Sequence, residues 1–200
     1  RLVVRGVPAI GVAAAFGMSL ASISSKAKTK KALLKDLKIA YNRLRSTRPT
    51  AVNLVWALDQ IMNEASSKNE LEDMKDSIVH SSLNMATDDI TTNKQLGKNG
   101  AEIIHNDDVI LTHCNAGSLA TVTYGTALGV LRAASDMGKN IQVIATETRP
   151  VMQGSRLTAF ELDHYGIDFS LIPDTAVGHL MSSGLINRVI VGADRILKTG

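Results

Sequence analysis

The sequence predicts an α/β fold, with a helical N-terminal domain over residues 1–100 and a parallel-sheet domain over residues 101–200. Three observations predict it. Apolar residues recur at helical spacing, without strand-like alternation, through the first half. In the second half, short continuous apolar runs alternate with helical stretches, as in a parallel sheet covered by helices on both faces. Gly138 and Gly166 stand where two of those helices should stop.

Taken in order, Ala9 to Ala21 is rich in alanine and glycine and almost uncharged, which predicts a buried helix. Lys30 to Arg45 is amphipathic through Leu33, Leu37, Ala40 and Leu44. Arg48-Pro49 separates it from a helix over Thr50 to Ala65, with a stripe of Leu54, Leu58, Ile61 and Ala65. Leu71 to about Asn93 repeats the pattern through Met74, Ile78 and Met85. Then the rhythm changes. Strands are predicted at Val109–Thr112, Ile141–Ala145, Ile167–Ile172 and Arg188–Val191. Helices fall between them at Leu119–Met137, Ser155–Tyr165 and Asp174–Ser183, the last with Asp174 as its N-cap. A doubly wound sheet usually has more than four strands, and residue 1 is not Met. The chain is therefore expected to be truncated at both ends.

Composition narrows the function. With 44% hydrophobic and 20% charged residues the chain is ordinary for a soluble globular protein. One cysteine excludes an internal disulfide framework and fits a reducing, cytoplasmic setting. No apolar run reaches membrane-spanning length. The net charge of +3 is concentrated between Lys26 and Arg48, with nine basic residues against Asp36 alone. These charges lie on the solvated face of the amphipathic helix. Aromatics make up 4% and do not interleave with the run, so no nucleic-acid partner is expected.

Three predicted strands end in chemically distinctive residues. The first leads to His113-Cys114-Asn115. The second leads to Glu147-Thr148-Arg149-Pro150 and then Gln153-Gly154-Ser155-Arg156. The last leads to Gly192-Ala193-Asp194-Arg195. All three emerge at the carboxyl edge of the sheet, where a doubly wound fold builds its binding crevice. A thiol, a carboxyl and guanidinium groups converging there suit proton transfer on an anionic substrate. A helix N-terminus directly after Cys114 would lower the thiol pKa, and its free N–H groups could hold an anion. The apolar approach Val189-Ile190-Val191 would raise the carboxyl pKa of Asp194. Simpler roles compete: Cys114 as a small buried hydrophobe, Asp194 as a helix cap, Glu147 and Arg149 as an ion pair, and His113 as a hydrogen-bonding neighbour of the strand. No ligand spacing suggests a metal, and G-x-G-x-x-G is missing from the first strand–helix turn, so no cofactor is expected.

Five blocks occur in an order that resembles the 5-methylthioribose-1-phosphate isomerases, within the superfamily of the regulatory α/β/δ subunits of initiation factor 2B. They are Arg5-Gly6-Val7-Pro8-Ala9-Ile10-Gly11, His113-Cys114-Asn115-Ala116-Gly117, Glu147-Thr148-Arg149-Pro150, Gln153 to Thr158, and Gly192-Ala193-Asp194-Arg195-Ile196. The resemblance implies a Rossmann-like second domain and a catalytic pair, Cys114 and Asp194. It implies substrate contacts from Arg5, Gly6, Val7, Arg48 and Gln153; alanine is commoner in the family at the position of Val7. A further Asn-Lys pair of the family lies beyond the last residue here.

The implied reaction converts an aldose 1-phosphate into a ketose 1-phosphate in methionine salvage. Phosphate on the anomeric oxygen prevents simple opening to an aldehyde. An acid must therefore assist at the ring oxygen, the role that falls on Asp194, while Cys114 acts at C1/C2. Proton relay and hydride shift both remain open. A homodimer is implied as well. Two other readings stand beside this one: a ribose-1,5-bisphosphate isomerase of the same superfamily, and a non-catalytic regulatory subunit.

Overall fold

The computed structural model describes residues 3–193 and 196–199. Among them are seven α-helices and a four-stranded sheet, arranged in two compact units, 1–89 and 90–200. The long helix α4 passes from one unit into the next.

The first unit is helical: α1 (Ala9–Ser24), α2 (Lys30–Arg45), α3 (Val52–Ser67) and the start of α4 (Leu71–Glu102). Thr29 caps α2 by accepting the N–H of Ala32. The predicted stripes do form the core. Leu33 and Leu37 of α2, Leu54, Leu58 and Ile61 of α3, and Met74 and Ile78 of α4 are essentially inaccessible and surround Met18 of α1. Gly11 lets α1 approach α3 closely, since a β-carbon there would stand 2.7 Å from the carbonyl oxygen of Asn53.

The second unit carries β1 (Asp108–Thr112), α5 (Ala127–Asp136), β2 (Ile141–Thr146), α6 (Ala159–His164), β3 (Phe169–Ile172), α7 (Val177–Ser182) and β4 (Arg188–Val189). All strand pairs are parallel, in the order β3-β2-β1-β4. Ile110, Val143 and Ala145 of the central strands pack with Leu128 and Leu131 of α5, Leu162 of α6 and Ala101 of α4. The outer strands are less enclosed than expected, and Leu171 and Val189 remain about half exposed. The predicted caps hold: Gly138 and Gly166 adopt left-handed backbone (φ 79° and 65°) just past the ends of α5 and α6.

Two helices differ from expectation in a way that shapes the site. The helix predicted from Leu119 starts only at Ala127, after a single 3-10 turn at Ser118–Ala120. The intervening chain folds back on itself. The N–H groups of Thr126 and Leu128 donate to the carbonyl of Ala116, and Gly125 (φ 93°) lies against Gly117, where a β-carbon would come within 2.7 Å. The β-branched run Thr121-Val122-Thr123 also disfavours early helix. The second difference is Asp174. It caps no helix; its carboxylate accepts the N–H groups of Thr148 and Arg149, both at 2.8 Å.

Candidate active site at the switch point of the sheet

Strand order reverses between β1 and β4, because the chain moves outward from β1 to β2 and β3 and then returns to pair with β1 on its other side. Ligands of open parallel sheets bind outside the carboxyl ends of the strands at such a reversal. Cys114 stands two residues past the end of β1, and Gly192 three residues past the end of β4. The two exits touch: a β-carbon on Gly192 would lie 2.8 Å from that of Ala116. Asp194, the second expected catalytic residue, lies outside the described residues.

Cys114 is partly exposed and has a left-handed backbone, φ 63°. Such a conformation costs a non-glycine residue roughly 1–2 kcal/mol, so its surroundings must hold it. They do so from two sides. From the end of β2, Thr148 (φ 58°) accepts the N–H of Cys114 on its hydroxyl at 2.9 Å. From α6 and the turn before it, Thr158 donates its hydroxyl to the carbonyl of Cys114 at 2.5 Å. His113 bonds through Nδ1 to the Thr146 hydroxyl at 2.6 Å, the simple neighbouring role foreseen for it. That hydroxyl lies 3.1 Å from the hydroxyl of Thr148.

Asp174 anchors this arrangement from the turn that follows β3. The N–H of Arg149, assisted by that of Thr148, holds its carboxyl below the ordinary aspartate range, against a smaller opposing effect of burial. Glu147 and Arg149 form the foreseen ion pair, a loose one at 3.9 Å. Arg156 donates to the carbonyl of Val151 in its own segment. Gln153 opens a π-helical turn, Gly154–Thr158, that leads into α6. A β-carbon on Gly154 would fall 1.7 Å from the carbonyl oxygen of Thr146, so this turn lies directly on the end of β2. Such wide turns often occur at functional sites.

One expectation fails. The helix N-terminus invoked beside the thiol is only the short 3-10 turn, and its N–H groups are already occupied. Those of Ser118 and Leu119 donate to the carboxylate of Glu161, at 2.6 and 3.4 Å. An anionic substrate cannot use these donors while Glu161 does.

In the helical unit, Arg48 donates from Nη1 to the carbonyl of Arg5 at 2.7 Å, which brings these two expected substrate contacts together. Gly6 accepts the N–H of Ile10 at the start of α1, and Val7 packs against the helical core. Among the described residues, no cluster of His, Cys, Asp and Glu is placed to hold a metal ion. Nor is any of their helices long and apolar enough to cross a membrane.

Sequence reasoning missed Thr148, Thr158, Glu161 and Asp174. A usable signal was the pairing of Thr158 and Glu161 three residues apart, on one helical face, behind the Gln153-Gly154-Ser155-Arg156 block.

Known proteins place this geometry in context. The methylthioribose-1-phosphate isomerase of Acetivibrio thermocellus is 49% identical over 202 residues, covering all of this chain and 59% of that protein. The crystal structure of 5-methylthioribose 1-phosphate isomerase from Pyrococcus horikoshii aligns with a TM-score of 0.89 at 46% identity, covering 96% of this chain and 55% of that one. A crystal structure of translation initiation factor eIF-2B subunit delta from A. fulgidus aligns at 0.86 and 47% identity, covering 98% and 58%. The chain thus spans somewhat under three-fifths of the length of these relatives. The model of the Initiation factor 2 subunit family matches residues 3–200. With its parallel sheet, its switch-point thiol and this match over nearly every residue, the chain belongs to the Initiation factor 2 subunit family.

Proposed function

We propose that the protein carrying this chain is an aldose–ketose isomerase that converts 5-methylthioribose 1-phosphate into 5-methylthioribulose 1-phosphate. The observation that carries this reading is the presentation of Cys114. It is the chain's one thiol, partly exposed, at the switch point of a parallel sheet, in a backbone conformation that two threonine hydroxyls sustain. Non-glycine residues held this way cluster at functional sites. The names of the relatives supply the substrate.

In this reading Asp194 protonates the ring oxygen as the ring opens, and Cys114 acts at C1/C2 while hydrogen passes between the two carbons. Arg5, Gly6, Val7, Arg48 and Gln153 contact the substrate. Arginine suits the phosphate because its planar fork donates to two oxygens at once. The enzyme works as a cytoplasmic homodimer.

The A. fulgidus structure bears the name of an initiation-factor subunit, and the second reading is accordingly a regulatory subunit without catalysis. NMR of the whole protein with 5-methylthioribose 1-phosphate, with ribose 1,5-bisphosphate, and with a Cys114→Ser control separates the two. Methylthioribulose 1-phosphate formed by wild type and not by the control is the expected result. Turnover of the bisphosphate alone reassigns the substrate. Turnover of neither, by the folded protein, selects the regulatory reading.

A further inference from the structure

Glu161 is a buried carboxylate with no cationic partner in its hydrogen-bonding shell among the described residues. It is 2% exposed, and the five groups within reach are neutral donors, the Tyr165 hydroxyl sharing its one hydrogen with Ser118 Oγ at 2.9 Å. Asn115 Nδ2 reaches Oε1 at 2.9 Å, and the Leu119 N–H reaches it at 3.4 Å. The Ser118 N–H and hydroxyl reach Oε2 at 2.6 and 2.7 Å, with the Tyr165 hydroxyl at 3.3 Å. A carboxylate offers about four acceptor directions, so this one is saturated. An apolar side chain would serve the packing of α6 at lower cost in desolvation. The charge serves the loop instead. Ser118 and Leu119 begin a turn too short to satisfy their own N–H groups. Gly117 sits so close that a β-carbon would fall 2.3 Å from Oε1 and 2.4 Å from Oε2.

One turn earlier, Thr158 takes the carbonyl of Cys114 and accepts a second bond from Asn115 at 3.2 Å. The helical segment therefore grips the loop at residue 114 and at residues 115–119. Cys114 has the left-handed backbone, the conformation an unsupported loop would abandon first. Building on the isomerase reading above, we propose that Glu161 is a positioning residue that keeps the Cys114 thiol in register with its substrate.

The test uses the whole protein and Glu161→Gln, which preserves shape but presents an amide NH2 to a shell of donors. A displacement of about 1 Å costs a reaction on the order of 100-fold, so kcat should fall by about that factor while KM moves by less than about threefold. Alkylation of Cys114 by iodoacetamide at neutral pH, followed on its peptide by mass spectrometry, should become faster as the loop opens. Glu161→Asp, which keeps the charge, should recover part of kcat. If kcat and alkylation rate in folded Glu161→Gln both match wild type, the proposal is overturned. The alkylation arm needs no turnover, so it decides the matter even if wild type isomerises neither sugar phosphate and the isomerase reading falls. If Glu161→Gln does not fold, Ser118→Ala and Tyr165→Phe each remove one partner. Both should lower kcat several-fold or speed alkylation; no change in either variant overturns the proposal.

Discussion

The hydroxyl of Thr148 accepts the N–H of Cys114 at 2.9 Å, and both residues have left-handed backbone, at φ 58° and 63°. The ends of two adjacent parallel strands thus sustain each other in conformations neither would adopt alone. Replacing Thr148 by Val deletes the acceptor and keeps the bulk. We expect a loss of roughly 1–3 kcal/mol, the cost of a buried donor left without its partner. Urea unfolding would measure it, and turnover should fall in parallel because the thiol loses one support.

Cys114→Gly should separate stability from activity. Glycine tolerates φ near 63°, so the variant should gain about 1 kcal/mol by relieving the backbone. Turnover of 5-methylthioribose 1-phosphate should fall by about 100-fold or more, the usual loss when an acid–base group is removed. Thermal unfolding and steady-state kinetics on one preparation would check both. A Cys114→Gly protein that kept its turnover would remove the thiol from the mechanism.

At the opposite, amino edge of the sheet, Asp108 accepts Arg188 Nε at 2.5 Å and the His105 N–H at 2.8 Å. Burial alone would raise the Asp108 pKa, but the His105 N–H and the Arg188 guanidinium outweigh it and hold the group below the ordinary aspartate range. Asp174 is lowered too. A carboxyl depressed in the folded state stabilises above its unfolded pKa, and that contribution is lost as pH falls through the folded value. Stability should therefore be level in this respect from neutrality down to about pH 4 and decline below it. Arg188→Met should cost roughly 1.5–3 kcal/mol at neutral pH, as expected for a hydrogen bond to a charged group, and should flatten the acid limb. Urea midpoints against pH would show both effects.

Gly154→Ala places a β-carbon 1.7 Å from a backbone oxygen, which no side-chain rotation can relieve. The expected loss is about 3 kcal/mol or more, at the upper end for overpacking. Gly138→Ala is the control. Its β-carbon meets nothing within 4 Å, so only the left-handed backbone (φ 79°) is penalised, by about 1 kcal/mol.

Elements whose pattern is local were legible in the sequence. The amphipathic stripe of α2 gave its limits, Lys30–Arg45, and Val109-Ile110-Leu111 marked the strand that delivers Cys114. The loop after Leu119 carried a local warning, the β-branched run Thr121-Val122-Thr123, but the close approach of Gly117 to Gly125 leaves no pattern of its own, so a helix was expected where the chain loops back. What was hidden elsewhere depends on residues far apart in the chain. Asp174 looks like an N-cap because it opens a helical stretch; only the fold brings Thr148 and Arg149 to its carboxylate. Nothing in the sequence links Glu161 to Ser118, whose N–H it accepts, because Ser118 lies 43 residues earlier.

The π-helical turn at Gly154–Thr158 is equivalent to one residue inserted into an otherwise regular helix. Deleting a residue there would let the backbone close into ordinary α-helix, a local improvement in hydrogen bonding. Removing a residue from a regular α-helix turns everything after it by about 100°; here the wide turn would close instead and absorb most of that rotation, so α6 would keep Glu161 facing the loop. Outside the turn the same deletion has nothing to absorb it. A frame-preserving single-codon deletion scan across residues 151–160 should therefore find its mildest losses at Ser155, Arg156 and Leu157, inside the turn but clear of the contacts made by Gly154 and Thr158.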